Sequence, residues 1–116
     1  MKLEGKQFTN SSTCHGEAFA SEGAPLDMAI IEISGRYPEE GSWARNRECH
    51  EMVTVVNGVG SVTVRGATAE QLSAGDTVHI APGQEFAWDG DMQVIVACSP
   101  IFNPEQYDIL REEWRK

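Results

Sequence analysis

Basic residues are scarce in this chain. Lys and Arg number 9 against 18 Asp and Glu, a net charge of −9, and no cluster gathers the few cations. A field of that sign repels phosphate backbones and anionic lipid surfaces, which excludes nucleic acid and membrane surfaces as partners. Cysteine is sparse as well. Cys14, Cys49 and Cys98 are 3 in number and irregularly spaced, so they form no disulfide framework and are expected as reduced thiols. Long hydrophobic runs are missing. Stretches such as Met28–Ile31 fall far short of a membrane span, and polar Met1–Ser12 lacks an apolar signal core, so a cytoplasmic protein is expected. No Gly-x-Ser-x-Gly elbow is present, and no pattern ties a Cys to a His through a third orienting group. Asn57-Gly58-Val59-Gly60 precedes no helix, so it is a turn and not a phosphate loop.

What the chain does contain is strand-forming sequence. Its 116 residues, 41% hydrophobic, suit a single domain with one core over residues 1–116. Residues 1–13 read as a loosely attached arm or a short edge strand, and 15–20 as a short strand. Leu26–Ser34 is rich in Ile, and His50–Asn57 is a second strong strand closed by the hairpin signal Asn57-Gly58. Val59–Arg65 alternates at period two and pairs with 68–72 across Arg65-Gly66-Ala67. Further strands are expected at 77–81, 85–88 and 92–98. Only the tail reads as helix, over 104–115. Asn103 is its N-cap, Pro104 its first residue, and Tyr107, Leu110 and Trp114 recur at helical spacing. Eight or so short strands at regular turn spacing imply an all-β sandwich or barrel.

Two segments carry a resemblance. GSWARNRECHEMVTVVNGVG (41–60) resembles the first cupin motif, with Glu51 and Gly58 at the spacing of its Glu and turn Gly. GDTVHIAPGQEFAW (75–88) resembles the second. The turn GRYPEEG and the ending CSPIFNPEQY are similar to a group of small cupin-domain proteins. The resemblance implies a cupin fold, the double-stranded β-helix or jelly-roll barrel. It also implies where chemistry would sit. A metal-binding cupin has two His at positions matching Arg45 and Arg47, and a third matching Phe86. Of the ligand set only Glu51 is present. Arg offers donors only and Phe no ligating atom, so no metal and no cofactor are expected at that place.

Arg45, Arg47 and Glu51 share strand parity, and on the cupin alignment they face the barrel interior. Two readings of this trio stay open. One is a structural ion pair between a guanidinium and Glu51. The other is a spare guanidinium that binds a small carboxylate or phosphate. Phe86 and Trp88 also share parity and line the same cavity, with Trp43 near its mouth. His79 points outward, and His50 faces away from Glu51. The dipeptides Cys14-His15 and Cys49-His50 leave room for a non-standard metal site, without a spacing signature. The leading expectation is a metal-free cupin binding a small polar or anionic ligand through Trp43, Arg45, Arg47, Glu51, Phe86 and Trp88. The alternative is a metal-dependent cupin enzyme, an isomerase or dioxygenase acting on a sugar or small organic acid. Analogy with cupins of this size, and the need to cover an open sheet edge, add the expectation of a homodimer.

Overall fold

A computed structural model describes residues 1–112. Nine strands form a single curled sheet. In chain order they are β1 (Lys6–Ser11), β2 (Cys14–Phe19), β3 (Asp27–Ser34), β4 (Ser42–Asn46), β5 (His50–Val64), β6 (Glu70–Ser73), β7 (Thr77–Ile80), β8 (Glu85–Ser99) and β9 (Tyr107–Arg111). The path β1-β2-β3-β8-β4-β9 makes one wall. On the other, β5 pairs with β6, β7 and β8. β8 is the hinge of the barrel. One edge pairs with β3 through Asp91–Cys98 and with β4 through Glu85 and Phe86, while the other runs along β5 for nearly its whole length.

Alternation explains which side chains turn inward. Along β8, Met92, Val94, Val96 and Cys98 are buried and the residues between them less so. Val53, Val55 and Val62 of β5, Ile80 of β7 and Ile33 of β3 complete the same core. These β-branched and aromatic side chains suit a pleated, half-buried surface.

Three sequence expectations change. Asn57-Gly58 is not a hairpin turn, because β5 continues through it. The register slips between Val55 and Asn57, which makes a β-bulge. Gly58 has φ +87°, and a Cβ there would run into the Asp91 carbonyl. The sheet bends at this point, so the glycine serves a bulge. For a related reason, 85–88 and 92–98 are one strand. Gly90 lies against Gly60 across the β5–β8 ladder, too close for any side chain, so the chain turns a corner without leaving the sheet.

The third correction is the tail. The helix expected over 104–115 is a single 3-10 turn, Pro104–Gln106, followed by β9. Asn103 caps that turn as expected, its Oδ1 accepting from the Glu105 N–H at 3.0 Å. The helical spacing is then overridden by pairing, because Tyr107–Arg111 zips onto β4 from Asn46 to Ser42. Sheet hydrogen bonds along an otherwise bare edge outweigh a weak helical propensity. Trp114, used in the helical reading, lies outside the described residues. At the other end, residues 6–11 form an edge strand on β2.

Candidate functional site

The barrel encloses a cavity of about 390 Å³. Glu51 of β5, Phe86 and Trp88 of β8 all line it, together with Tyr37, Cys98 and Tyr107. Phe86 and Trp88 are 2% and 6% exposed. Their rings meet edge to face with centroids 6.2 Å apart.

Trp43, Arg45 and Arg47 are not part of this lining. Along β4 it is Ser42, Ala44 and Asn46 that are buried, while Trp43 and Arg45 are partly exposed. Arg45 Nη2 lies 2.8 Å from Asp108 Oδ2, and Arg47 Nε 3.3 Å from the same atom. Trp43 Nε1 donates to Glu112 Oε1 at 2.7 Å, and the Arg36 guanidinium lies over its ring. Neither arginine pairs with Glu51. Parity fails as a guide here because the chain leaves the sheet between β4 and β5. Residues 47–49 lie outside both strands, with a bend at 47–48, so alternation does not carry across. The inward positions that precede Glu51 are Ala44 and Asn46, one residue off the arginines.

Glu51 is half-buried, and the part of it not packed faces the cavity. Burial raises its carboxyl above the usual carboxylate range. Donors on Asn46 and Cys98 pull the other way, and the nearby Asp27 charge adds to the rise. Desolvation without a cation favours the neutral acid. The Cys98 thiol approaches Glu51 Oε2 at 3.8 Å. Cys98 itself is held as a thiol, raised by burial and then by the Glu51 charge.

Asn46 owes its orientation to Gln106. Gln106 Oε1 accepts from the backbone N–H of Glu48 at 2.9 Å and of Cys49 at 3.2 Å. Its Nε2 therefore donates, and Asn46 Oδ1 accepts at 2.9 Å. That leaves Asn46 Nδ2 buried without a partner of hydrogen-bonding geometry. The acceptor on that side is the Glu51 carboxyl, whose charged form Asn46 favours.

Two tyrosines add hydroxyls to the lining. Tyr37 and Tyr107 lie 70 positions apart, yet their hydroxyls meet at 2.9 Å. Burial holds both above the usual phenol range. The sequence placed Tyr37 in a turn and Tyr107 on a helix, so neither stood out. Tyr37 bridges to Trp88 through backbone hydrogen bonds of 2.8 and 2.7 Å, which pull that turn into the barrel. Tyr107 begins β9.

The Cys-His dipeptides do not converge. Cys14 and Cys49 are buried, whereas His15 and His50 are exposed. His50 Nδ1 instead meets His79 Nε2 at 2.9 Å on the outer face. No group of three or more His, Cys, Asp or Glu able to hold a metal occurs among the described residues. The buried residues nearest the expected ligand positions are Ala44, Asn46 and Phe86, the Asn46 oxygen already accepts from Gln106, and the Cys98 thiol beside Glu51 is held protonated. This donor set does not fit the metal that cupins commonly hold. Among the described residues, no helix is long and apolar enough to cross a membrane.

Comparison with known proteins agrees with this architecture. No curated protein matches the chain. Solved structures do. Pac13, described as a unique nucleoside dehydratase, has 15% identity over 98% of this chain and 93% of its own, with a TM-score of 0.82. Ectoine synthase from P. lautus has 12% identity over 93% and 83%, with a TM-score of 0.70. KdgF from Halomonas sp. has 16% identity over 86% and 91%, with a TM-score of 0.67. At such identities the likeness is one of fold. A family model for the EutQ-like cupin domain matches residues 38–96, which hold β4 to β7 and most of β8. The inward Glu51, the glycine bulge at Gly58 and the corner at Gly90 all fall inside that segment, and the chain belongs to the EutQ-like cupin family.

Proposed function

We propose that the barrel binds a small, ring-bearing, non-anionic molecule without a metal, with Glu51 as the group that exchanges a hydrogen bond or a proton with it. The observation that carries this reading is the Glu51 carboxyl itself. It lines an aromatic cavity and is raised by burial. Apolar walls with a few convergent polar groups are the usual make-up of a small-molecule site. The guanidinium expected to recruit an anion is engaged outside by Asp108, so an acidic ligand meets Lys6 of the exposed edge strand as the one cationic side chain of the described lining, and faces the carboxyls of Glu51 and Asp27.

A second reading, catalysis by proton transfer, is favoured by the same carboxyl. An acid raised toward neutrality is suited to give and take protons, and the Tyr37–Tyr107 pair offers a further hydroxyl in the same cavity. Two of the structural neighbours named above are enzymes by description, and Streptomyces Pac13 variants have been solved with uridine. Thermal-shift screening separates the classes. Nucleosides and sugars are expected to stabilise the protein, and small carboxylates and sugar phosphates to do nothing. Trp88→Ala removes a cavity wall and should abolish the response. Stabilisation by the anions alone would defeat the proposal.

A further inference from the structure

Among the described residues, the carboxyls that line the cavity, Glu51 and Asp27, take part in no ion pair. The ion pairs of those residues lie on the outside of the molecule: Arg36 with Glu40, Arg45 and Arg47 with Asp108, Arg65 with Glu85, and Arg111 with Glu39. No Arg or His lines it, and its one Lys, Lys6, is exposed on edge strand β1. Glu51 faces the Asn46 amide and the Cys98 thiol, and Asp27 accepts a backbone N–H from Phe102 at 3.2 Å, none of which is a cation. Buried carboxyls are ordinarily neutralised by a partner. Here no ion pair among the described residues supplies one.

The walls fit the missing charge. Phe86, Trp88, Phe102 and Tyr107 line the cavity, and Phe102 is 36% exposed. The negative face of an aromatic ring attracts a cation.

Building on the cavity as the binding site, we propose that its ligand carries a positive charge: the barrel is an aromatic-walled, acidic receptor for a small organic ammonium. An ammonium group supplies Glu51 and Asp27 with the counter-charge they lack, and its alkyl or ring portion covers the aromatic faces. The surplus of acidic groups over the whole chain draws such a ligand toward the cavity mouth.

The test compares two probes of the same shape, choline and its uncharged isostere 3,3-dimethylbutan-1-ol, by calorimetry on the full chain at neutral pH. Choline is expected to bind roughly tenfold tighter than the alcohol. That preference should disappear in Glu51→Gln and shrink in Asp27→Asn, with circular dichroism confirming that each variant is folded. Equal or tighter binding of the alcohol overturns the positive charge while leaving the cavity as a site. Binding of neither probe also overturns it, and the nucleoside and sugar screen then decides the cavity reading separately. A choline preference that persists in both variants would place the cation elsewhere and likewise overturn the proposal.

Discussion

Glu51 makes stability depend on pH in a direction opposite to that of an ion-paired carboxylate. Its folded-state proton affinity lies above the ordinary carboxyl value of 4.5, chiefly because it is buried. Below that value both folded and unfolded chains carry the proton, and the group costs nothing. Above it the unfolded chain ionises first, so the folded state binds more protons and stability falls as pH rises. The fall ends where the folded carboxyl itself ionises. Within that window each pH unit removes about 1.4 kcal/mol, which for a urea slope of about 2 kcal/mol/M lowers the midpoint by roughly 0.7 M. Glu51→Gln keeps the shape and cannot ionise. Urea midpoints of both proteins from pH 4 upward should therefore coincide at the acid end and separate as pH rises, with the variant the more stable. Asp27 is raised for the same reason, so a shallower slope remains in the variant. Parallel curves for the two proteins would refute the account of Glu51 as a desolvated carboxyl.

Further outcomes follow from the surroundings. Gln106→Ala strands the N–H groups of Glu48 and Cys49 and the Asn46 oxygen, and should cost about 2–4 kcal/mol by denaturant melts. Arg45→Ala and Arg47→Ala weaken an outer-face cluster on Asp108; each should cost under ~1 kcal/mol and leave ligand binding unchanged. Loss of binding in either would bring the outer face into the site. Gly58→Ala forces a side chain into the Asp91 carbonyl at φ +87°, and a loss of about 2 kcal/mol or more is expected; a wild-type melting temperature would show that the bulge can relax.

The fold was legible because its two signals are local. Alternation in Val59–Arg65 and the apolar run at 92–98 marked strands without any long-range information. Turn chemistry at Arg65-Gly66-Ala67 located the start of β6, and the structure closes that turn with an Ala67 N–H to Val64 carbonyl bond of 2.8 Å. The misreadings share a cause. Asn57-Gly58, Asp89-Gly90-Asp91 and the tail from Pro104 all look like ends of elements when read alone. Each is instead taken up by a neighbour: Gly58 and Gly90 by the β5–β8 ladder, Tyr107–Arg111 by β4. Glycine marks a place where the backbone does something unusual, and whether that is a turn or a bulge is settled by the strand alongside.

The site was half legible for a related reason. Glu51, Phe86 and Trp88 sit inside strands, so parity placed them correctly on the cavity. Arg45 and Arg47 sit across a bend from Glu51, and the parity count carried no information there. The strand β4 held a better signal in its own composition. Ser42, Ala44 and Asn46 alternate with Trp43 and Arg45, and a narrow interior takes the small and neutral set while the long charged set goes to solvent. That choice also decides the chemistry. With arginines inside, the cavity would have been cationic and matched to acids. With Asn46 inside, held as a donor by Gln106 from 60 residues away, the acid in the wall is left uncompensated. The ligand class proposed for this barrel thus differs from the one expected because β4 turns Asn46 and not its arginines inward, and the strand paired along β4, β9 from Tyr107 onward, lies in the part of the chain whose sequence pointed to a helix.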